Sequence, residues 1–235
     1  MNRLLASLLL DVKMQFRNGF YYVSAFVALM MILVLRQFGE VNWTLWWPII
    51  ILENLVINTF YFMSGLVLLE KAEGTLEAQI VSPLRPWEYL SGKIGSLAVL
   101  SLLESLVIVV AVSGVNFNWP LLILGILSLV ALYVLYGFLV VVRYDSIGEF
   151  ILPSAVWTMG FSIPLLYYFN FWRSPWIFLH PLQAPLLLMQ SAFEKIPPLQ
   201  ILYGVVYSLL WIAIAYFLAQ RAYHRFVVTK EGTRK

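Results

Sequence analysis

The sequence contains no cysteine. That excludes disulfides, thiolate metal sites and a cysteine nucleophile, and it leaves the redox compartment open, because the absence fits either setting. Histidine is almost as scarce. His180 and His224 are far apart and outside any HExxH spacing, so zinc-hydrolase chemistry has no ligand set. His224 stands among Arg221 and Arg225 in a basic tail, where an ordinary interfacial residue is a plainer reading than a ligand. The facing acids and histidines of an intramembrane protease are missing as well. So is the nucleotide-binding loop GxxxxGK[ST]: "LSGK" (Leu90–Lys93) is followed by Ile94, and no glycine lies five places before Gly92. No cofactor and no catalysis are expected of this chain itself.

Charge is the other shortage. Soluble domains carry about 25% charged residues; this chain carries 11%, against 62% hydrophobic. A chain of 235 residues could bury a core, but with so few charges it could not cover its outside. The apolar residues come in blocks as long as a bilayer core requires. The expected fold is therefore an all-α membrane protein, a single domain over 1–235 with six transmembrane helices and membrane lipid as its surroundings. The spans are expected over roughly Phe20–Leu35, Pro48–Leu69, Pro86 or Ile94 to Val115, Pro120–Val142, Phe150–Phe169 and Leu199–Ala219. The fifth is kinked if Pro153 and Pro164 lie inside it. No internal repeat or second domain stands out.

With both termini inside, twelve Lys and Arg residues fall on the cytoplasmic side and three (Arg36, Arg173 and Lys195) outside. This is a positive-inside bias, so the net charge of +3 needs no nucleic-acid partner. The implied location is the cell (inner) membrane. Trp43, Trp46 and Trp47, and later Trp172 and Trp176, suit an outer aromatic belt.

The N-terminus does not read as a signal peptide. Leu4–Leu10 is short, Asp11 and Lys13 interrupt it, and no small-residue cleavage site follows. Leu5, Leu8, Leu9, Val12 and Phe16 share one helical face, which predicts an interfacial helix over 1–18; a merely amphipathic leader is the alternative. The segment 170–198 is too apolar for an aqueous loop, yet five prolines interrupt it. It is expected to form short helices dipping into the outer leaflet, an extracellular, re-entrant element.

Two carboxylates sit in apolar surroundings. Glu104 lies eleven residues beyond Lys93, about 16 Å along a helix and so near mid-membrane. Glu53 comes early in a span entering from outside and is expected to be shallower. Ionisable groups at this depth suggest function. Both are candidates for a translocation path or proton uptake, with hydrogen-bonded packing between helices as the alternative.

The most charged stretch is "EKAEGTLEAQIVSPLRPWEYLSGK", Glu70 to Lys93. Gly74-Thr75 offers a turn and N-cap for a short helix over Leu76–Val81, with Glu77 near its positive end. Ser82-Pro83 and Arg85-Pro86 end that helix and begin the next span. Such an element could pass a push from a soluble partner into two membrane helices, or it could simply turn the chain.

Glu70-x-x-x-Gly74-Thr75-x-Glu77, then Ser82-Pro83-Leu84 and Gly92-Lys93, resembles the cytoplasmic segment of type 2 ABC-transporter permeases. "VVRYDSIGEFILP" adds to the likeness, most closely to the fluoroquinolone-export permeases. The resemblance covers nearly the whole chain. It implies the membrane subunit of an ATP-driven exporter for drugs or amphipathic small molecules, working by alternating access with a second permease chain, homo- or heterodimeric. ATP and Mg would sit on separate cytoplasmic ABC ATPase subunits. The family's coupling element (70–85) carries onto Glu70, Glu73, Gly74, Thr75, Leu76, Glu77, Ile80, Ser82 and Pro83, with a second contact at the "RYDS" turn through Arg143 and Asp145. Alternatives are a haem- or lipid-exporting permease, a proton-coupled carrier using Glu104, and a non-transporting assembly protein.

Overall fold

A computed structural model of the chain describes residues 3–39, 41–80 and 84–229, the side chains of 77, 79, 80 and 229 excepted. All regular structure among them is helical: α1 (Arg3–Arg17), α2 (Phe20–Leu35), α3 (Trp43–Leu55), α4 (Phe62–Ala72), α5 (Thr75–Ile80), α6 (Pro86–Ser113), α7 (Trp119–Val141), α8 (Ile147–Phe161), α9 (Ile163–Tyr168), α10 (Gln183–Phe193) and α11 (Pro198–Tyr223). Six stretches are long and apolar enough to cross a membrane, as expected. Spans 1 to 6 are Phe20–Phe38, Trp43–Ala72, Pro86–Ser113, Trp119–Val141, Ile147–Tyr168 and Pro198–Val228.

Local chemistry sets the helix ends. The Glu88 carboxylate accepts the Arg85 N–H at 2.8 Å and Pro86 opens α6, so "RPWE" is a complete start signal. The Asn118 side chain accepts from Leu121 N–H at 3.3 Å to start α7, and the Ser146 side chain accepts from Glu149 N–H at 3.4 Å to start α8. Pro153 is absorbed inside α8. The break in span 5 falls at Ser162, with Pro164 in the first turn of α9.

Span 2 holds the least regular backbone. Residues Val56–Tyr61 form a π-helical turn between α3 and α4, and the Thr59 hydroxyl donates to the Leu55 carbonyl within it. The turn widens the helix against span 4. Only a glycine fits opposite: a Cβ at Gly137 would stand 2.8 Å from the Phe60 carbonyl oxygen.

Span 4 is the centre of the molecule. Its most apolar window is 78% enclosed and that of span 2 is 72%, while spans 1 and 6 reach only 11% and 17%. Phe60, Tyr133, Tyr136, Phe150 and Phe161 stack around the π-helical turn at ring separations of 5.0–6.1 Å. The segment 170–198 contributes a 3₁₀ turn (Pro175–Leu179) and α10, whose Leu186, Leu188 and Met189 are buried against α7, α3 and α11. His180 precedes α10 and accepts the Leu182 N–H at 3.3 Å through Nδ1. Burial lowers its pKa to about 4, so it is neutral at physiological pH.

Candidate functional site

The amphipathic N-terminal helix packs with its polar side inward. Ser7, Asp11 and Gln15 recur every four residues, hence on one face, and that face lies on α6. Gly92 makes the approach possible, since a Cβ there would meet the Ser7 hydroxyl oxygen at 2.7 Å. Leu5, Leu9, Leu10 and Phe16 point outward and are exposed. The Gln15 amide donates to the Ser96 hydroxyl at 2.9 Å.

Beneath this contact sits a buried ion cluster. Lys93 Nζ donates to Asp11 Oδ1 at 2.5 Å and to Glu70 Oε1, and the Tyr89 hydroxyl donates to Glu70 Oε2 at 2.7 Å. Lys93 is fully buried, and Glu70 and Asp11 nearly so. Two carboxylates thus face one ammonium. Burial pushes the Asp11 carboxyl up to about 6; the Lys93 charge opposes this and the Glu70 charge adds to it. The cluster ties α1, α4 and α6 together.

Glu70 therefore lies inside the body, whereas the next residues turn outward. Gly74 takes a left-handed conformation (φ 68°) that ends α4. Thr75, expected as an N-cap, is the first residue of α5, and its hydroxyl donates back to the Glu70 carbonyl at 3.1 Å. α5 lies between spans 2 and 3. Leu76 is only 4% exposed and anchors α5 to the body, so the exposed residues here, among the described side chains, are Ala72, Glu73 and Ala78. The side chains of Glu77 and Ile80, and all of Ser82 and Pro83, lie outside the described residues.

A cleft of about 520 Å³ separates α1 from α5, lined by Ser7, Asp11, Met14, Glu73, Thr75 and Ala78 among others. Arg17 closes one side with bonds of 3.0 and 3.3 Å to the Glu73 carboxylate. At the end of α4, Lys71 Nζ donates to the carbonyls of Val142 and Tyr144 at 2.8 and 2.6 Å and lies 3.3 Å from Asp145 Oδ1. Asp145 and α5 are thereby held at the same end of the molecule. Arg143 turns the other way, its guanidinium carbon 5.7 Å from the Phe226 ring centre.

Within the spans, Glu104 is embedded in a polar cluster. Its carboxylate accepts from the Ser24 hydroxyl of span 1 and from the Asn54 and Asn58 amides of span 2 at 3.3 and 2.5 Å. Ser101 donates to the Asn58 carbonyl at 3.3 Å. The Asn58 Oδ1 and Ser105 Oγ atoms are buried without a hydrogen-bond partner among the described residues. One side of Glu104 faces a groove of about 380 Å³ between α2 and α6, bordered by Tyr21, Ser24, Leu29 and Val107. Glu53 is exposed and accepts from the Ser162 hydroxyl at 3.0 Å. Its neighbour Asn54 and, one turn further on, Asn58 reach Glu104 of span 3, so the two carboxylates lie on different sides of span 2.

The residues that reading by motif passed over are Asp11, Lys71, Tyr89, Lys93, Ser24, Asn54 and Asn58 as partners of the acids. The signal was present for two of them. Asp11 interrupts an apolar helix, and Lys93 stands seven residues inside a span.

Comparison with known proteins agrees over the full length. The chain is 30% identical over 235 residues to the fluoroquinolones export permease protein of Mycobacterium tuberculosis, both from strain CDC 1551 / Oshkosh and from strain ATCC 25618 / H37Rv, covering 99% of each sequence. The model of the fluoroquinolones export permease protein family matches residues 2–231. With six spans and a match of this extent, the chain is a multi-pass membrane permease that belongs to the fluoroquinolones export permease protein family.

Proposed function

We propose that this chain is the membrane subunit of an ATP-driven ABC exporter that moves fluoroquinolones or comparable amphipathic drugs out of the cytoplasm or inner leaflet. Two such permease chains, identical or related, enclose the path. Two separate ATPase subunits carrying ATP and Mg dock at the cytoplasmic end, in the cell membrane, with both chain termini inside. The observation that carries this reading is the α1–α5 cleft, whose lining includes Asp11 and Tyr89, the partners of the buried Lys93–Glu70 pair beneath it. A subunit seated there would push on α1, α4 and α6 at once, because Lys93 joins all three. The 142–145 turn, held by Lys71, would be a second contact through Asp145. Closure of the ATPases would then shift spans 2 and 3 together toward an outward-open state. Glu104 supplies an anionic wall beside the groove between spans 1 and 3, suited to the amine of a zwitterionic drug.

The test uses Ala78, because Leu76 is buried and its substitution by Asp would report on folding. Ala78→Arg is expected to abolish co-purification of an ATP-binding subunit and the associated ATPase activity, at unchanged membrane yield. Retention of both by the variant would remove α5 from the docking surface. A wild-type chain with no ATPase partner, exporting drug on a proton gradient and losing that activity in Glu104→Gln, would replace the ABC reading with a proton-coupled carrier.

A further inference from the structure

At the end of the molecule that carries α5, spans 4, 5 and 6 enclose another recess, of about 330 Å³. Arg143, Arg221 and Arg225 line it together with the apolar Leu139, Trp157 and Leu218. Arg143 follows the end of α7, Arg221 lies in the last turn of α11, and Arg225 in the π-helical turn His224–Thr229 beyond it. Aromatic rings hold the three guanidinium groups. Phe226 has the Arg143 and Arg225 carbons 5.7 and 5.3 Å from its ring centre, and Arg221 stands 4.3 Å from that of Phe217. Stacking of this kind fixes planar cations without neutralising them. No ion pair is made by any of the three among the described residues; Asp145, two residues beyond Arg143, pairs with Lys71.

Three un-neutralised, oriented forks around one recess call for an anion with several oxygens, and the apolar wall calls for an oily substituent on it. We infer that the recess between spans 4, 5 and 6 binds an anionic phospholipid, its phosphate against Arg143, Arg221 and Arg225 and an acyl chain along Leu139, Trp157 and Leu218. A free phosphate would satisfy the arginines but leave the apolar wall uncovered. The arginines of the recess lie at or beyond the ends of α7 and α11, where headgroups would meet them, with Trp157 deeper along span 5, and in the proposed orientation they face the leaflet richer in anionic lipid. This inference is independent of how transport is driven.

Native mass spectrometry of the full chain, delipidated and then offered phosphatidylglycerol or phosphatidylcholine with the same acyl chains, tests it. The wild type is expected to retain phosphatidylglycerol by about tenfold over phosphatidylcholine. Arg143→Gln/Arg221→Gln/Arg225→Gln should erase that preference, and Arg3→Gln/Lys13→Gln should leave it intact. A preference that survives in the triple variant, or is lost equally in the double one, overturns the site. Displacement of the lipid by inorganic phosphate would reassign it to a small phosphorylated solute. Should the triple variant not fold, Leu218→Trp decides the matter: it fills the apolar wall, keeps every arginine, and is expected to release the lipid. Full retention by that variant overturns the acyl-chain placement.

Discussion

Lys93 meets two buried carboxylates, Asp11 and Glu70, with one positive charge. Removing the lysine leaves both acids without compensation. Lys93→Met is therefore expected to destabilise the detergent-solubilised protein by about 3–5 kcal/mol, read as a fall in thermal unfolding midpoint, and Lys93→Met/Glu70→Gln should recover part of the loss. The pH response has a defined sign. The Asp11 carboxyl is raised from 3.8 to about 6, so the folded state binds a proton that the unfolded chain releases between those values. Its contribution disfavours folding above pH 6 and fades as pH falls toward 4. Asp11→Asn should flatten stability across that window. A midpoint that rises on acidification equally in wild type and variant would assign the effect to other groups. Glu104 is a different case, since its oxygens already have three partners. Glu104→Leu should cost about 1–3 kcal/mol for each donor left unpaired, whereas Glu104→Gln should spare the fold and change drug preference.

Among the elements, the π-helical turn of span 2 has the most particular requirement of a neighbour. Gly137→Val would set a branched side chain against the Phe60 carbonyl and is expected to destabilise by about 1–3 kcal/mol, visible as reduced yield and earlier unfolding, while the exposed Gly148→Ala should be silent. This turn was not legible in the sequence: residues 49–64 contain neither proline nor glycine and read as an unbroken span. The spans themselves were legible, because hydrophobic length and the signals "RPWE" and "NWP" act locally. The candidate site was legible only in outline. A short helix between spans 2 and 3 follows from Gly74 and Pro86, but the inward position of Glu70 depends on Tyr89, Lys93 and Asp11, all distant in sequence. The apolar face of α1 was also readable, but not that its polar face would be the buried one, because that outcome depends on Gly92 and Ser96 of another helix.

At the scale of the whole molecule, enclosure is uneven. Spans 2 and 4 are interior, whereas spans 1, 5 and 6 present Phe26, Leu33, Val156, Leu202, Leu209 and Phe217 outward, a surface apolar enough to face lipid or the second permease chain proposed above. The absence of cysteine makes the orientation directly testable. Single substitutions Ala78→Cys and Phe171→Cys should react with a membrane-impermeant maleimide from opposite sides, Phe171→Cys in intact cells and Ala78→Cys only after lysis. Labelling of both in intact cells would refute the assigned topology. The inward polar stripe of α1 also bears on biosynthesis. Asp11 leaves the ribosome 82 residues ahead of Lys93, about 4–16 s at about 5–20 residues/s. During that interval Ser7, Asp11 and Gln15 lack the partners they meet on α6, a state that favours a nascent helix lying at the bilayer surface with its leucines in lipid. Synthesis of span 3 then delivers the glycine and the lysine that capture it, so α1 is seated only after the two spans that follow it have been made.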